Sequence, residues 1–410
     1  MRIALVHPYP WPEVRRGAER YLDDLSWYLA SRGHDVEVVT GTHDRPRTER
    51  TDDGVTIRYR RHLWAGRGER LGVTPIETFG VAALPPLLER RAEVVHAFTP
   101  SGALAGRLSG RPTVFTVLGH PDVEQLPSAR VPWLLWRAAV RAANVTATLS
   151  AASAEALDET MGRRGVVLSP GVRLERFAPD LAPRTGAPRL LFAGSLADRR
   201  KRADLAVAAF GRVLERHPDA RLTLSGEGDG SWALAATRSE RVRRAVDVVG
   251  AGRPADLPAQ YRAATVTVLP AEHEAFGLVL VESLACGTPV VCVASGGMPE
   301  IVGDEGAGVV ASAATPDAVA DAAERAIAMA AEPSTATTCV ARARQWGWQE
   351  TIGPAHEAIY EQLVATRAVI EHVPALTGGR RDVVGPPWSA SPTSATIAMV
   401  PGGLRRRSVS

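Results

Sequence analysis

A complete strand–helix–strand unit lies in one short stretch of the chain, residues 266–293, which reads VTVLPAEHEAFGLVLVESLACGTPVVCV. The apolar run Val266–Leu269 predicts a buried strand that a proline ends. A polar loop follows, and then a helix that we expect to start near Phe276–Gly277 and to stop at the Gly-Thr-Pro sequence. The apolar run Val290–Val293 returns as the next strand. This order of elements indicates parallel α/β architecture.

The same alternation of short apolar runs with longer amphipathic segments extends through most of the chain, in two blocks. In the first block we predict strands at Ile3–Val6, Val36–Thr40, Val55–Tyr59, Val94–Phe98, Thr113–Val117, Val145–Leu149 and Val166–Leu168. In the second block we predict strands at Leu190–Ala193, Arg221–Leu224, Val246–Val249, Val266–Leu269, Val290–Val293 and Gly308–Val310. Runs rich in β-branched residues are typical of strands covered on both faces. The sequence therefore predicts an α/β fold with two successive doubly wound domains of similar size.

The alternation stops at Ser169-Pro170-Gly171, and the stretch up to Pro188 is rich in proline with little periodicity. We place the domain boundary there. We expect a first domain at residues 1–170 and a second domain at residues 171–345. Residues 346–373 then form a segment with a last helix, and residues 374–410 a disordered tail. Outside the strand that starts at Val55, residues 42–70 are charge-rich and predict a surface excursion of the first domain.

Composition and charge exclude several classes of protein. The 410 residues include 48 basic and 45 acidic side chains, and a net charge of +3 is too even to indicate a nucleic-acid partner. No apolar run reaches the roughly 18 residues of a transmembrane helix, and the N-terminal sequence lacks signal-peptide features, so we expect a cytoplasmic protein. The three cysteines, Cys286, Cys292 and Cys339, lack zinc-site spacing and are expected to be reduced thiols. Because no D-x-D pair is present, we expect no metal ligands.

Two glutamates lie close to the predicted start of the helix in residues 266–293. Glu274 precedes the helix and Glu282 lies about two turns inside it, and eight helical residues span about 12 Å. Unpaired N–H groups and the positive end of the dipole make a helix N-terminus suitable for phosphate. This span is comparable to a nucleotide sugar, so each carboxylate could bind hydroxyl groups at one end, with the diphosphate between them. Two glutamates at this spacing also occur by chance, and the spacing alone leaves both interpretations open.

Lys201 is the only lysine among the 48 lysine and arginine residues. Such a bias is typical of a GC-rich genome. A lysine retained against this background favours a specific role for a compact, mobile ammonium group, such as contact with a phosphate. The alternative is a chance residue on an exposed loop.

Taken together, these motifs resemble glycosyltransferase family 4, a family of retaining transferases with GT-B architecture. Glu274 and Glu282, with seven residues between them, match the E-x7-E motif of such enzymes. Arg16–Arg20 resembles the family's turn after strand one, and Ser169–Val172 resembles its entry into the second domain. Phe192–Leu196 with Lys201 resembles its phosphate-binding segment, and Gly296–Val302 resembles the loop that follows. The resemblance covers about residues 1–365 and implies two Rossmann-like domains that face a central cleft.

The resemblance also implies a metal-independent transfer that retains the anomeric configuration, with a UDP-sugar or GDP-sugar as donor and no other cofactor. It implies that Glu282 binds the donor ribose, Glu274 the donor sugar, and Lys201 the leaving diphosphate. The other donor-site positions that it implies are Gly17, Ser195, Arg202, Ala275, Phe276, Gly277 and Leu278. A small-molecule acceptor would bind the first domain. The last helix would cross back onto that domain, anchored by Trp346 and Trp348.

Two positions depart from the family pattern. Where the family has a phosphate-binding arginine this chain has Ser195, and one of three nearby arginines is expected to supply the charge: Arg199, Arg200 or Arg202. Where the family has a catalytic-site histidine in the first domain, this chain has Leu118. His120 is the candidate catalytic residue in its place, although a lone histidine is also common as a structural residue.

Two other interpretations remain open. The departures at Ser195 and Leu118 leave room for a catalytically silent partner subunit that binds a sugar nucleotide. A phosphorylase or an epimerase of the same architecture is the other interpretation, and a phosphorylase that uses pyridoxal phosphate would need Lys201 as its Schiff-base residue. The arginine bias favours an actinobacterial-type genome, in which such enzymes often modify antibiotics, and hence secondary-metabolite biosynthesis. The acceptor, the choice between UDP and GDP, and the oligomeric state stay open.

Overall fold

A computed structural model describes residues 1–62, 73–89, 92–121, 130–304 and 306–366. These residues form two β-sheets with α-helices between the strands, which confirms the predicted α/β fold with two Rossmann-like domains. Side chains of the first strand alternate between two core clusters: Ile3 and Leu5 pack into one cluster, and Ala4 and Val6 into the other. Both faces of this strand are therefore covered, which is why its sequence is a continuous apolar run rather than an alternating one.

The first sheet has eight strands among the described residues: β1 Arg2–Val6, β2 Asp35–Thr42, β3 Arg47–Arg50, β4 Thr56–Arg61, β5 Val94–Ala97, β6 Thr113–Val117, β7 Val145–Thr148 and β8 Val166–Val167. Their order is β3-β4-β2-β1-β5-β6-β7-β8, and only the β3–β4 pair is antiparallel. The helices described in this part are α1 Gly17–Ser31, α2 Pro75–Glu89, α3 Pro100–Leu108, α4 Arg130–Ala142 and α5 Ala151–Met161.

One strand of the first sheet contradicts the prediction for residues 42–70. We expected no strand there besides the one that starts at Val55, yet β3 pairs antiparallel with β4 at the edge of the sheet. Most of β3 is exposed, and the Arg47 guanidinium lies 3.6 Å above the centre of the Tyr59 ring. An edge strand without a buried face has no hydrophobic period, so the sequence pattern does not reveal it. Residues 63–70 of the predicted excursion lie outside the described residues.

The second sheet has six strands among the described residues: β9 Arg189–Ala193, β10 Arg221–Ser225, β11 Val246–Gly250, β12 Val266–Leu269, β13 Val290–Val293 and β14 Gly308–Ala311. Their order is β11-β10-β9-β12-β13-β14, and every neighbouring pair is parallel. The helices described in this part are α6 Ala203–Arg216, α7 Ser231–Leu234, α8 Glu240–Arg244, α9 Leu257–Ala263, α10 Leu278–Ala285, α11 Met298–Val302, α12 Pro316–Ala330 and α13 Thr335–Ala343. Each predicted strand of this sheet is present.

The last described helix, α14 at Gly353–Thr366, follows the second sheet in sequence but packs against α1 and β5 of the first part. Trp348, just before it, is buried and stacks on Tyr28 of α1, with ring centroids 5.9 Å apart and planes at 27°. Trp346 instead packs edge-on against Phe276 of the second part, with centroids 6.3 Å apart. Of the two tryptophans, Trp348 therefore contacts the first part in this structure.

Three further expectations concern thiols, membrane spans and the chain end. All three cysteines are buried and free, and burial raises the pKa of each thiol to about 12, so they act as small core residues. No helix in the described parts of the chain is both long and apolar enough to cross a membrane. Residues 367–373 of the predicted last segment and the predicted tail at 374–410 lie outside the described residues.

Candidate functional site

Two loops that carry predicted site residues meet at one point of the second sheet. The strand order reverses between β9 and β12, because β10 follows β9 on one side and β13 follows β12 on the other. Loops that leave the carboxyl ends of two such strands diverge, and ligands of open α/β sheets bind in the crevice between them. Ser195 and Lys201 follow β9, and Glu274 and Phe276 follow β12. The topology thus brings together residues that are far apart in sequence.

An ion pair joins the two loops, since the Lys201 ammonium donates a hydrogen bond to Oε2 of Glu274. The Lys201 side chain is 25% exposed and the Glu274 side chain is 16% exposed, so both groups remain partly open. An ammonium has three donors and a carboxylate has two acceptor oxygens, which leaves both groups capacity for a ligand. The pair therefore offers a cation for a phosphate and an acceptor for hydroxyl groups side by side.

The loop after β12 has an irregular backbone that positions Glu274. His273 has a φ angle of 52°, and its N–H donates to Ser295 Oγ at 2.8 Å. Gly296 has a φ angle of 54°, and a Cβ atom there would collide with the carbonyl oxygen of Glu274, so glycine is required for this close approach. A non-glycine residue in the left-handed region costs about 1–3 kcal/mol, and such strain is concentrated at functional sites.

Helix α10 begins at Leu278, after Gly277 with a φ angle of 105°. Because it starts later than predicted, Glu282 is its fifth residue and lies just over one turn inside rather than two. The side chains of Ala275 and Phe276 are buried in the main core cluster, so these two predicted positions offer a ligand their backbone groups. The first turn of a helix leaves N–H groups without intrahelical partners, and here it directly follows the loop of Glu274.

Glu282 differs from Glu274 in being buried, with only 1% of the residue exposed. Tyr261 donates a hydrogen bond to its Oε2 at 2.8 Å, and the Arg20 guanidinium of α1 pairs with its Oε1. Burial raises the pKa of the Glu282 carboxyl, whereas the Arg20 charge and the Tyr261 hydrogen bond lower it. Sequence reasoning did not identify Arg20 as a site residue. Its place in the motif Arg16–Arg20 is the signal that could have found it.

The arginines near Ser195 contact partners within their own domain. Arg202 pairs with Glu272 and, at 3.1 Å, with Asp204. Arg200 pairs with Asp198 at 2.7 Å. The Arg199 guanidinium lies 5.2 Å from the centre of the Trp232 ring. Glu272 belongs to the loop of Glu274, so Arg202 borders the crevice. The contacts of Arg199 and Arg200 direct their guanidinium groups to Trp232 and Asp198 instead.

His120, the candidate replacement for a catalytic histidine, lies beside the loop of Glu274. Its Nδ1 is 3.1 Å from Ser153 Oγ, and that hydroxyl donates to the carbonyl oxygen of Ala275 at 3.4 Å. Leu118, in contrast, packs against the main core cluster. One serine therefore connects His120, which belongs to the first part of the chain, to the predicted donor loop of the second.

The turn after β1 lies against the start of α10. A Cβ atom added to Gly17 would be 3.7 Å from Cδ1 of Leu278, so the first residues of α1 and α10 are neighbours. This contact brings Gly17, a predicted donor-site residue, next to the helix N-terminus.

The same turn also contributes to a buried pair that sequence reasoning missed, between His7 and Glu19. His7 Nε2 is 3.2 Å from Glu19 Oε1, while His7 Nδ1 and Glu19 Oε2 have no hydrogen-bond partner among the described residues. His7 directly follows β1 at its carboxyl end and Glu19 lies in the Arg16–Arg20 motif, which are the signals for this pair. Within the described ranges, no group of three or more His, Cys, Asp or Glu side chains suits a metal ion.

Comparisons with known proteins cover both parts of the chain. Residues 15–176 match the family model described as Glycosyltransferase Family 4, and residues 175–346 match the model described as Glycosyl transferases group 1. The chain is 31% identical to glycogen synthase of Mycobacterium tuberculosis over 337 residues, which are 74% of this chain and 80% of that protein. It is 30% identical to D-inositol 3-phosphate glycosyltransferase of Acidothermus cellulolyticus over 383 residues, which are 82% of this chain and 83% of that protein.

Solved structures with a similar fold include sucrose-phosphate synthase from Thermosynechococcus elongatus, with a TM-score of 0.76 and 22% identity. That similarity covers 89% of this chain and 99% of the other. HepE from Anabaena, solved in complex with UDP-glucose, has a TM-score of 0.69 and 18% identity, over 89% of this chain and all of the other. At these identities the similarity shows the fold.

Proposed function

Because the chain belongs to glycosyltransferase family 4 and transfers a sugar from a nucleotide sugar, we propose that the donor lies between Glu274 and Glu282. The enzyme is a hexosyltransferase with the GT-B architecture that the sequence motifs imply. Membership in the family favours a transferase over a silent binding protein, a phosphorylase or an epimerase. We further propose that the transfer is retaining and metal-independent, with a UDP-sugar or a GDP-sugar as donor.

The observation that carries this proposal is the pair of carboxylates on either side of the α10 N-terminus. Glu274 is paired with Lys201 at the open side of the crevice, and Glu282 lies in the following helical turn. In the proposed complex Glu274 accepts hydrogen bonds from the sugar and Glu282 from the ribose. The first-turn N–H groups of α10 and the Lys201 ammonium then bind the diphosphate between them.

In the proposed reaction, the bond between the anomeric carbon and the diphosphate oxygen breaks. The new bond from an acceptor oxygen to that carbon forms on the same face. The acceptor proton passes to the leaving phosphate oxygen, so no separate base is needed. Lys201 and the helix N-terminus stabilise the negative charge that develops on the diphosphate. His120, through Ser153, orders the loop that holds Glu274.

For the acceptor we propose a small polyhydroxylated molecule bound at the carboxyl ends of the first sheet. The unpartnered His7 Nδ1 and Glu19 Oε2 support this, since buried polar atoms without partners are costly and hydroxyl groups would satisfy them. One relative is named for an inositol phosphate acceptor, which favours a cyclitol. A role in secondary metabolism remains our hypothesis from the arginine bias alone. An acceptor screen with inositol, inositol 3-phosphate, an aminocyclitol and glycogen tests this, and transfer to glycogen alone would contradict it.

Thermal-shift titration with UDP, GDP, dTDP and ADP tests the donor site. A nucleotide at 100 times its dissociation constant adds about 2.7 kcal/mol to the free energy of unfolding. We expect one nucleotide to stabilise the wild type, and we expect Glu282→Ala and Glu282→Gln to lose that stabilisation. Glu240→Ala, which removes an exposed carboxylate of α8, is the matched control.

The ligand-induced shift is the quantity to compare, because Glu282→Ala also removes the buried partner of Arg20 and lowers the melting temperature itself. Glu282→Gln keeps the shape of the side chain and separates the two effects. Equal ligand-induced shifts in wild type and both variants would place the ribose elsewhere. Proton NMR of the product checks retention, since an inverted anomeric configuration would disprove the proposed mechanism.

Two further proposals concern organisation. We propose that residues 1–170 form the acceptor domain, residues 171–345 the donor domain and residues 346–373 the crossing segment, a division supported by the two family models that meet at residues 175–176. We also propose a cytoplasmic location, which the three free thiols support.

A further inference from the structure

The diphosphate of the proposed donor needs more positive charge than Lys201 provides, and Ser195 adds none. The arginines that the sequence offered as replacements have other partners in the structure: Arg199 lies on Trp232, Arg200 pairs with Asp198, and Arg202 pairs with Asp204 and Glu272. The first domain offers another guanidinium close to the diphosphate position.

Arg20 extends from the first turns of α1 to Glu282 in α10. Its guanidinium pairs with Oε1 of Glu282, and its Nε lies 3.7 Å from Oδ2 of Asp24. The Arg20 side chain is 15% exposed, so its charge is largely removed from water. Glu282 lies four residues, or about 6 Å along the helix, from the N-terminal residue Leu278. The carboxylate that holds the guanidinium therefore belongs to a residue about one helical turn from the proposed diphosphate position.

Glu282 cannot keep this contact and also bind the ribose as proposed. Its oxygens accept hydrogen bonds from Arg20 and Tyr261, and with only 1% of the residue exposed these two partners leave a ligand no open path to the carboxylate. Of the two partners, Tyr261 is fully buried whereas the Arg20 side chain is 15% exposed, so ribose hydroxyl groups that reach the carboxylate take the place of Arg20. The released guanidinium is left with Asp24, whose carboxylate also pairs with Arg173. Because a buried charge that loses its partner is strongly destabilising, the guanidinium needs a new anion.

We propose that Arg20 exchanges Glu282 for the diphosphate when the donor enters, and so supplies from the first domain the guanidinium that Ser195 lacks. This inference rests on the proposed role of Glu282 in binding the ribose. A guanidinium binds phosphate oxygens through two parallel hydrogen bonds, so the exchange replaces one charge-assisted contact by another. Since Arg20 and Glu282 belong to different domains, the donor then takes over a contact that links the two domains.

Calorimetric titration with UDP against UMP, and with GDP against GMP, measures what the second phosphate adds to binding. In Arg20→Ala we expect the preference for the diphosphate over the monophosphate to fall about tenfold or more, because a charge-assisted hydrogen bond is lost. Affinity for the monophosphate should stay the same or rise, because Glu282 is freed. Arg20→Lys keeps the cation without the planar fork, and we expect an intermediate loss.

A rescue variant tests the exchange directly. Adding Ser195→Arg to Arg20→Ala should restore most of the diphosphate preference, since it returns a guanidinium to the phosphate segment. Arg15→Ala is the matched control, because Arg15 also bridges the domains, through a hydrogen bond to the Gly252 carbonyl at 3.3 Å, and does not pair with Glu282. It should leave the preference unchanged.

The outcomes separate this inference from the proposed function. If the wild type binds a nucleotide and Arg20→Ala keeps the full diphosphate preference, the inference is wrong while the donor site stands. An equal rise in affinity for monophosphate and diphosphate would show that Arg20 only competes for Glu282. If the wild type binds neither UDP nor GDP, the proposed donor site fails and the inference with it. Should Arg20→Ala not fold, Arg20→Lys gives the same ratio measurement.

Discussion

The crevice around Lys201 and Glu274 can be compared with a second polar region, the cluster of side chains beneath α14. In the crevice the groups are charged, partly exposed and paired across two loops. In the cluster beneath α14 the groups are completely buried, and three of their hydrogen bonds are short: His96 Nδ1 to Tyr360 and Nε2 to Thr116, and His356 Nε2 to Tyr21, each at 2.6 Å. Both regions connect elements that are distant in sequence.

The difference lies in how much charge and hydrogen-bonding capacity each region leaves for a ligand. Burial lowers the pKa of His356 to about 4 and lowers that of His96 well below its usual value, so both rings are neutral at pH 7. Each ring nitrogen already has a partner, because His356 Nδ1 also contacts the Ile352 carbonyl at 2.8 Å. The cluster therefore has no capacity left for a ligand, and it fixes α14 to the first sheet. The crevice keeps both charge and unused hydrogen-bonding capacity.

The largest effect is expected from Lys201→Ala, which removes the ammonium group from the crevice and leaves the cluster beneath α14 unchanged. We expect kcat to fall about 10²–10³-fold, because the charge of the leaving diphosphate loses a preorganised donor. Steady-state assays with the donor sugar identified by titration measure it. Arg221→Ala is the control, since this arginine is exposed, pairs with Asp247 at 2.7 Å and starts β10 at the opposite end of the sheet. A loss in Lys201→Ala no greater than in the control would refute the role of the ammonium.

The next effect is expected from His96→Ala, which breaks the cluster and spares the crevice. The substitution leaves the buried hydroxyl groups of Tyr360 and Thr116 without their partner, and we expect the free energy of unfolding to fall by about 3 kcal/mol. Denaturant unfolding measures the loss, and kcat below the unfolding transition should stay unchanged. His217→Ala, which removes a half-exposed imidazole paired with Glu324, is the control. A fall in kcat without a fall in the free energy of unfolding would contradict the structural role of the cluster beneath α14.

Regular patterns allowed most of the fold to be predicted, because buried parallel strands require continuous apolar runs. The exception, β3, has no buried face and therefore no pattern. The two-turn depth expected for Glu282 was wrong for a related reason. Gly277 takes a positive φ angle before the helix, which delays its start, and a glycine permits that angle without requiring it.

The pairing of charged side chains in the candidate site was harder to predict from the sequence than the backbone elements that carry them. The spacing of the glutamates and the rarity of lysine made Glu274 and Lys201 candidates, and the structure places the two side chains in contact. Arg20 was missed because its partner Glu282 is 262 positions away, so only the docked arrangement of the two domains reveals the pair. The side chains around Ser195 illustrate the same limit, since sequence proximity could not show which arginine has another partner.

A smaller effect is expected from pH, which distinguishes the neutral cluster from the charged crevice. The unfolded pKa of a histidine is about 6.5, and that of His356 in the fold is about 4, so folding favours the neutral ring. Its contribution to stability is complete above pH 6.5 and is lost as the pH falls towards 4. Between pH 7 and pH 5 this one group accounts for about 2 kcal/mol. Unfolding at both pH values should show a shallower dependence in His356→Gln than in wild type, and an identical dependence would contradict the assignment.

The smallest effect on stability is expected where the charges are most evident, at the Lys201–Glu274 pair. A double-mutant cycle of Lys201→Met and Glu274→Gln should give a coupling in unfolding free energy below about 1 kcal/mol, because the pair is partly exposed and screened by water. The same cycle for His96→Ala and Tyr360→Phe should give a larger coupling, since that hydrogen bond is fully buried. If the order of the two couplings were reversed, the crevice pair would be a structural contact like the cluster. The order that we expect means that Lys201 and Glu274 contribute little to folding and keep their charges available for the donor.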